Sequence, residues 1–301
     1  MRTLFAVLGL TLLGCDTSVP AEPPTPAEDE GQLEPLRSSC VGDGDGIIEP
    51  DEIPPVDLAD GLSMAVLVSP AGSQTTLPAG WMSGADDALV ADLSLERLPA
   101  GATDRQLFIG PADPADTWYG ARFPNAQWTS LLDADTDTWG LFDRSGDDVR
   151  LLGIASATEG ETALSYDPPV PLFRLPMADG DTWEVAADAE GLADGVEYPS
   201  DQGANGVVTV VHRWTFSVDG TGTATLPAAT LPFLRLRLAL RTEAYNSIAG
   251  LFAADSSRAT FLVSECAGTV ARVRSVPDEL DPDFAVATEV LRFGIVPELL
   301  P

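Results

Sequence analysis

Beyond Ile53, apolar and polar residues alternate along most of the chain in short runs broken by glycine, proline, asparagine and aspartate. A period of two is the mark of antiparallel strands with one face buried and the other in water. In VVTVVHRWTFSV, the alternation sets Val208, Val210, His212, Trp214, Phe216 and Val218 on one face and Thr209, Arg213, Thr215 and Ser217 on the other. LRLRLALRTE repeats it, with Leu234, Leu236, Leu238 and Leu240 inward and Arg235, Arg237 and Arg241 outward. Further strands are expected over 136–142, 149–155, 182–187, 259–264, 269–275 and 284–293. DRSGDD at 143–148 and VDGTGT at 218–223 are rich in turn formers and read as connections. ADDALVADLSLERL, 85–98, reads either as the one candidate helix or as a strand pair. The expected fold is all-β, an antiparallel β-sandwich or a strongly curved half-barrel over residues 53–296, with the pattern clearest over 126–293.

The first fifty residues lack this period. Arg2 precedes an apolar run from Leu4 to Leu13, the layout of a secretory leader and too short to span a bilayer. The run ends in Leu12-Leu13-Gly14-Cys15, which resembles the bacterial lipobox. The resemblance implies removal of residues 1–14, a lipid on Cys15, and an extracytoplasmic protein held at the periplasmic or cell-surface face of a bacterial membrane. An ordinary cleaved leader with a chance cysteine is the alternative. Residues 15–39 alternate proline, alanine and acid without an apolar pattern and are expected to be a disordered tether, extended at about 3 Å per residue.

Charge narrows the partners. The 301 residues carry 16 basic and 47 acidic side chains, a formal charge of -31, which repels phosphate backbones, so nucleic acid is not an expected partner. Every basic residue is an arginine, which excludes chemistry that needs a lysine amine. With Cys15 lipidated and the chain exported, Cys40 and Cys266 are left in an oxidising compartment and are expected to pair, worth on the order of 4 kcal/mol in the chain-entropy picture. Two free buried thiols are the alternative.

Few residues suggest chemistry. CVGDGDGIIEPDE, 40–52, fits an EF-hand loop if Gly46 takes its sixth position: Asp43 and Asp45 offer side-chain oxygens, Ile47 a carbonyl and Glu52 a bidentate carboxylate. Val41 stands where aspartate is usual and prolines crowd both flanks, so the stretch reads either as a weak calcium loop or as a bare acidic turn. Asp133, Asp135 and Asp137, spaced by two, read as a solvated loop or a second cation site. His212 faces the core, and the only histidine of a chain cannot build a His-rich zinc site. Arg235, Arg237 and Arg241 form a basic stripe, either a seat for an anion or paired with acids on neighbouring strands.

GDTWEV at 180–185, VDGTGTATLPAATLPFLRLRL at 218–238 and SECAGTVARVRS at 264–275 together resemble uncharacterised exported β-proteins of Gram-negative bacteria. That resemblance spans roughly residues 126–293 and implies a fold and an export address. The expected function is that of a lipid-anchored cell-envelope protein, non-catalytic and either structural or ligand-binding, with no cofactor or weakly bound calcium. Its expected partners are the membrane, through the anchor, and an apolar or envelope ligand. A carboxylate-dependent extracytoplasmic hydrolase is the alternative.

Overall fold

The computed structural model describes residues 42–53, 62–69, 73–98, 103–111, 117–133, 138–201, 206–227 and 229–295, all within one unit, Ser38–Pro301. These hold seventeen strands. They are β1 (Leu62–Val68), β2 (Thr75–Thr76), β3 (Met82–Ser83), β4 (Leu89–Asp92), β5 (Thr103–Pro111), β6 (Trp128–Asp133), β7 (Thr138–Ser145), β8 (Asp148–Ser156), β9 (Ala163–Phe173), β10 (Thr182–Ala193), β11 (Val196–Tyr198), β12 (Ser200–Asp201), β13 (Val207–Thr225), β14 (Thr230–Asn246), β15 (Gly250–Ser264), β16 (Gly268–Ser275) and β17 (Val286–Ile295). The described residues contain no α-helix and one 3₁₀ turn, Gly120–Arg122. The expected all-β, antiparallel class is therefore what the chain adopts, and the candidate helix at 85–98 is strand β4 followed by a turn.

Neighbours in sequence pair in space from β5 through β10 as an antiparallel meander, and again from β13 through β17. β10 joins the two runs by pairing with β13 from Thr182↔Ser217 to Ala189↔Val210. β1 pairs with β5 along one edge and with β17 along the other.

Alternation decides what is buried. Trp214, Phe216 and Val218 of β13, Leu234, Leu236 and Leu238 of β14, and Phe261 and Val263 of β15 enter one core with Trp183 of β10 and Val170 and Leu172 of β9. Phe233 and Leu262 point the opposite way, into a second core with Leu89, Ala91, Val273, Val290 and Phe293. Successive residues of one strand face opposite sides, so β14 and β15 are covered on both faces at this end. Leu234, Leu236 and Leu238, read as inward from the alternation, are packed core, with Leu240 packed against it.

The ladder between β13 and β14 is interrupted once, at a register shift between Val218 and Thr221. VDGTGT is thus a bulge inside a strand of 19 residues, and the turn lies beyond it. The glycines have a packing reason: a Cβ on Gly222 would meet the Leu89 carbonyl oxygen at 2.1 Å. Without one, β4 lies alongside β13 in the parallel pairing Gly222↔Leu89 to Thr225↔Asp92. DRSGDD does turn, between β7 and β8, with Gly146 at φ 62.

Charged groups are buried on the sheet as well. Glu289 of β17 is fully buried and receives Arg272 Nε at 2.7 Å, with Arg274 Nη2 3.7 Å from its other oxygen. Among the described residues no carboxylate pairs with Arg292; its guanidinium donates to the carbonyls of Leu93, Ser94 and Leu98, fixing the segment after β4.

Candidate functional site

The acidic stretch is held to the domain by its apolar residues. Ile48 and Ile53 enter the first core, and Ile48 exchanges backbone hydrogen bonds of 2.9 Å with Met177 in both directions. Glycines shape the tip: Gly44 at φ 73 and Gly46 at φ 82 adopt the left-handed conformation that lets each aspartate fold back on the backbone ahead of it. Asp43 Oδ1 accepts the Asp45 N–H at 3.0 Å, and Asp45 Oδ1 accepts the Ile47 N–H at 2.7 Å.

The third acid comes from elsewhere. Glu265, in the turn between β15 and β16, accepts the Gly44 N–H at 2.9 Å. The neighbouring Cys266, at φ 60, donates its N–H to the Glu52 carbonyl at 2.6 Å. Carboxylate oxygens of Asp43, Asp45 and Glu265 lie within 4.8 Å of one another, at the surface. At such a separation two like charges repel by about 1 kcal/mol per pair in bulk water and by a few kcal/mol at the effective dielectric of a protein surface. A hard divalent cation, which takes carboxylate oxygens as ligands, would relieve that repulsion. An open groove runs from this tip along Leu89, Thr221, Gly222 and Phe233.

Glu52, expected as the bidentate ligand, is not part of the cluster. The residue is 5% exposed, and its carboxylate accepts the Glu49 N–H at 2.9 Å. The turn at Pro50 takes the chain inward to Ile53 instead of around a cation. Burial pushes the Glu52 carboxyl above the usual carboxylate range, and the negative charges of Glu265 and Asp43 push it the same way. Ile47 stays at the tip, engaged through its N–H.

The basic stripe is neutralised within the fold. Arg235 Nε and Arg237 Nε reach the two carboxylate oxygens of Asp219, each at 2.6 Å, and Arg237 also meets Asp283 at 2.8 Å. Arg241 shares Glu243 with Arg213, at 2.8 and 2.6 Å. Hydrogen bonds from the Tyr245 hydroxyl and Arg213 hold the Glu243 carboxyl below its usual range. Of the two readings of Arg235, Arg237 and Arg241, an anion seat or pairing with the chain's own acids, the structure shows the pairing.

His212 lies in the core beside Tyr166 and Trp214, with ring centroids 5.3 and 6.1 Å away. Burial lowers its pKa to about 4, and its Nδ1 has no hydrogen-bond partner among the described residues. Trp128, Trp183 and Trp214 are also core. Cys15, the tether at 15–39, Cys40, Asp135 and Asp137 lie outside the described residues, as does the side chain of Asp133; Cys266 is disulfide-bonded.

Glu265 is the residue the sequence did not announce: it stands 221 positions from Gly44, and no spacing rule connects the two. The chain matches no protein-family model, no curated protein and no solved structure.

Proposed function

We propose that this chain is a lipid-anchored protein of a bacterial cell envelope, attached through Cys15 and a tether over residues 15–39, with the β domain displayed as a structural or ligand-binding module. Where the tether enters the domain, a calcium ion held by Asp43, Asp45 and Glu265 clasps it to the β15–β16 turn, and a Cys40–Cys266 disulfide reinforces the same junction. The observation that carries this reading is the convergence of those three carboxylates on the segment that leads in from the anchor. A load applied through the tether acts on this junction first, so a cation and a covalent bond there protect the domain from being peeled open.

Titration calorimetry and thermal melts of the mature protein, with calcium and with chelator, test the clasp. Wild type is expected to bind one calcium at a millimolar dissociation constant, as exposed extracellular sites do. Ten-fold excess over that constant should then raise its stability by about 1.4 kcal/mol. Asp45→Asn and Glu265→Gln should each abolish the effect. An unchanged melting temperature in wild type, or equal binding by both variants, refutes it.

A further inference from the structure

Arg258 is a cation that the fold leaves unanswered. It sits on β15 directly opposite Ala239 of β14, and its own N–H donates to Ser275 Oγ at 2.9 Å on the other side. Its neighbours on the same face are all answered: Arg213 and Arg241 by Glu243, and Arg235 and Arg237 by Asp219. Among the described residues no carboxylate pairs with Arg258, and its buried Nε has no hydrogen-bond partner. In a chain with 47 acidic and 16 basic residues, chance pairing should satisfy a half-buried guanidinium readily.

The surroundings form a groove. The segment 276–285 crosses over this face of β13, β14 and β15, pinned by the Asp278 N–H to the Ser256 carbonyl at 2.7 Å and by Arg237 to the Pro282 carbonyl at 2.6 Å. Beneath it Arg258 borders two adjoining hollows, one running to Arg241, Ser256 and Leu280, the other to Thr215 and Pro282. Ala239 and Thr215 form the floor, in the cross-strand row Glu184–Thr215–Ala239–Arg258. Their small side chains leave space beside the guanidinium where an acid would otherwise reach it. Arg241 stands diagonally across the ladder, about 7–8 Å away in Cα position. Leu280 hangs over the groove with 74% of its surface exposed.

We propose that Arg258 is the seat of a small organic anion, a carboxylate or a phosphate monoester, whose charged end takes the two Nη donors while its apolar body lies between Ala239 and Leu280. A planar guanidinium offers two parallel donors to either oxyanion. Glu279 and Glu184 at the rim limit the ligand to one charged group, since a polyanion would meet them.

The test is direct observation of the Arg258 Nε–H resonance in the ¹⁵N spectrum of the folded protein, assigned by its loss in Arg258→Lys, during titration with hexanoate and separately with hexyl phosphate at 150 mM sodium chloride. A saturable shift of that resonance by either probe is expected, and which probe binds tighter identifies the headgroup. Calorimetry on Arg258→Gln should show affinity for that probe reduced at least ten-fold, while Arg174→Gln, at an arginine outside the groove, leaves it unchanged. No saturable shift with either probe, or equal affinity in Arg258→Gln, overturns the proposal.

Discussion

Acidification should weaken this protein through a single buried imidazole. His212 has its ordinary pKa, 6.5, in the unfolded chain and about 4 in the folded one, because burial among Tyr166, Trp214 and the apolar strand faces disfavours the charged form. Above pH 6.5 both states are neutral at this position and the full stability is present. Between pH 6.5 and 4 the unfolded state binds a proton that the folded state refuses, so stability falls with pH and levels off below 4. Worked between pH 7.5 and 4.5, the loss from this one group is about 2.5 kcal/mol. His212→Phe keeps an aromatic ring at the position and removes both the titration and the orphaned Nδ1, whose burial without a partner costs about 1–3 kcal/mol. Urea unfolding of both proteins, followed by tryptophan fluorescence at several pH values, isolates the effect. Carboxylates with raised pKa values, Glu52, Asp194 and Asp255, and those with lowered ones, Asp92 and Glu243, contribute equally to both curves and cancel in the difference. The variant should match or exceed wild type at pH 7.5 and exceed it by a further 2.5 kcal/mol, roughly, at pH 4.5. Parallel stability curves across this range would refute the reasoning.

Two further outcomes are expected. Glu289→Gln removes the fully buried carboxylate that answers Arg272 and Arg274, and should lower unfolding free energy by about 3–5 kcal/mol in urea melts at neutral pH; a loss below 1 kcal/mol would show that the arginines reach water. Cys15→Ser should shift the protein from the membrane to the soluble fraction of the producing bacterium, and an unchanged membrane fraction would end the lipid-anchor reading.

The strands were legible where one face is wet. β13 follows the alternation up to its bulge and β14 from Leu236 to Arg241, and Leu234, Leu236, Leu238, Trp214 and Phe216 are core, whereas Arg235, read as outward, is buried where β14 is covered on both faces. What failed had a physical reason. VDGTGT carries the residues of a turn, yet Gly220 and Gly222 serve a bulge and a close approach by β4, a need that arises only when the parallel partner is in place. β4 itself has four residues, too few to show a period. At the acidic loop, Asp43 and Asp45 were readable because local turns depend on local sequence. Glu265 replaces Glu52 through tertiary contact, which leaves no local trace. The arginine stripe was visible, but that it would be neutralised while Arg258 is not depends on where Asp219, Asp283 and Glu243 fall in the ladders.

The β1–β17 ladder has a consequence for how the molecule comes into being. Ala65 is paired with Ile295, so their separation in the chain is 295 − 65 = 230 residues. At synthesis rates of about 5–20 residues per second, β1 waits on the order of ten to fifty seconds before this partner exists. Over that interval the edge of β1 that β17 later covers offers unpaired N–H and C=O groups to any passing strand, its own chain or a neighbour's. That edge has to be shielded for most of the time the chain takes to be made, and the first of the described strands is secured on its β17 side only when the last has been synthesised.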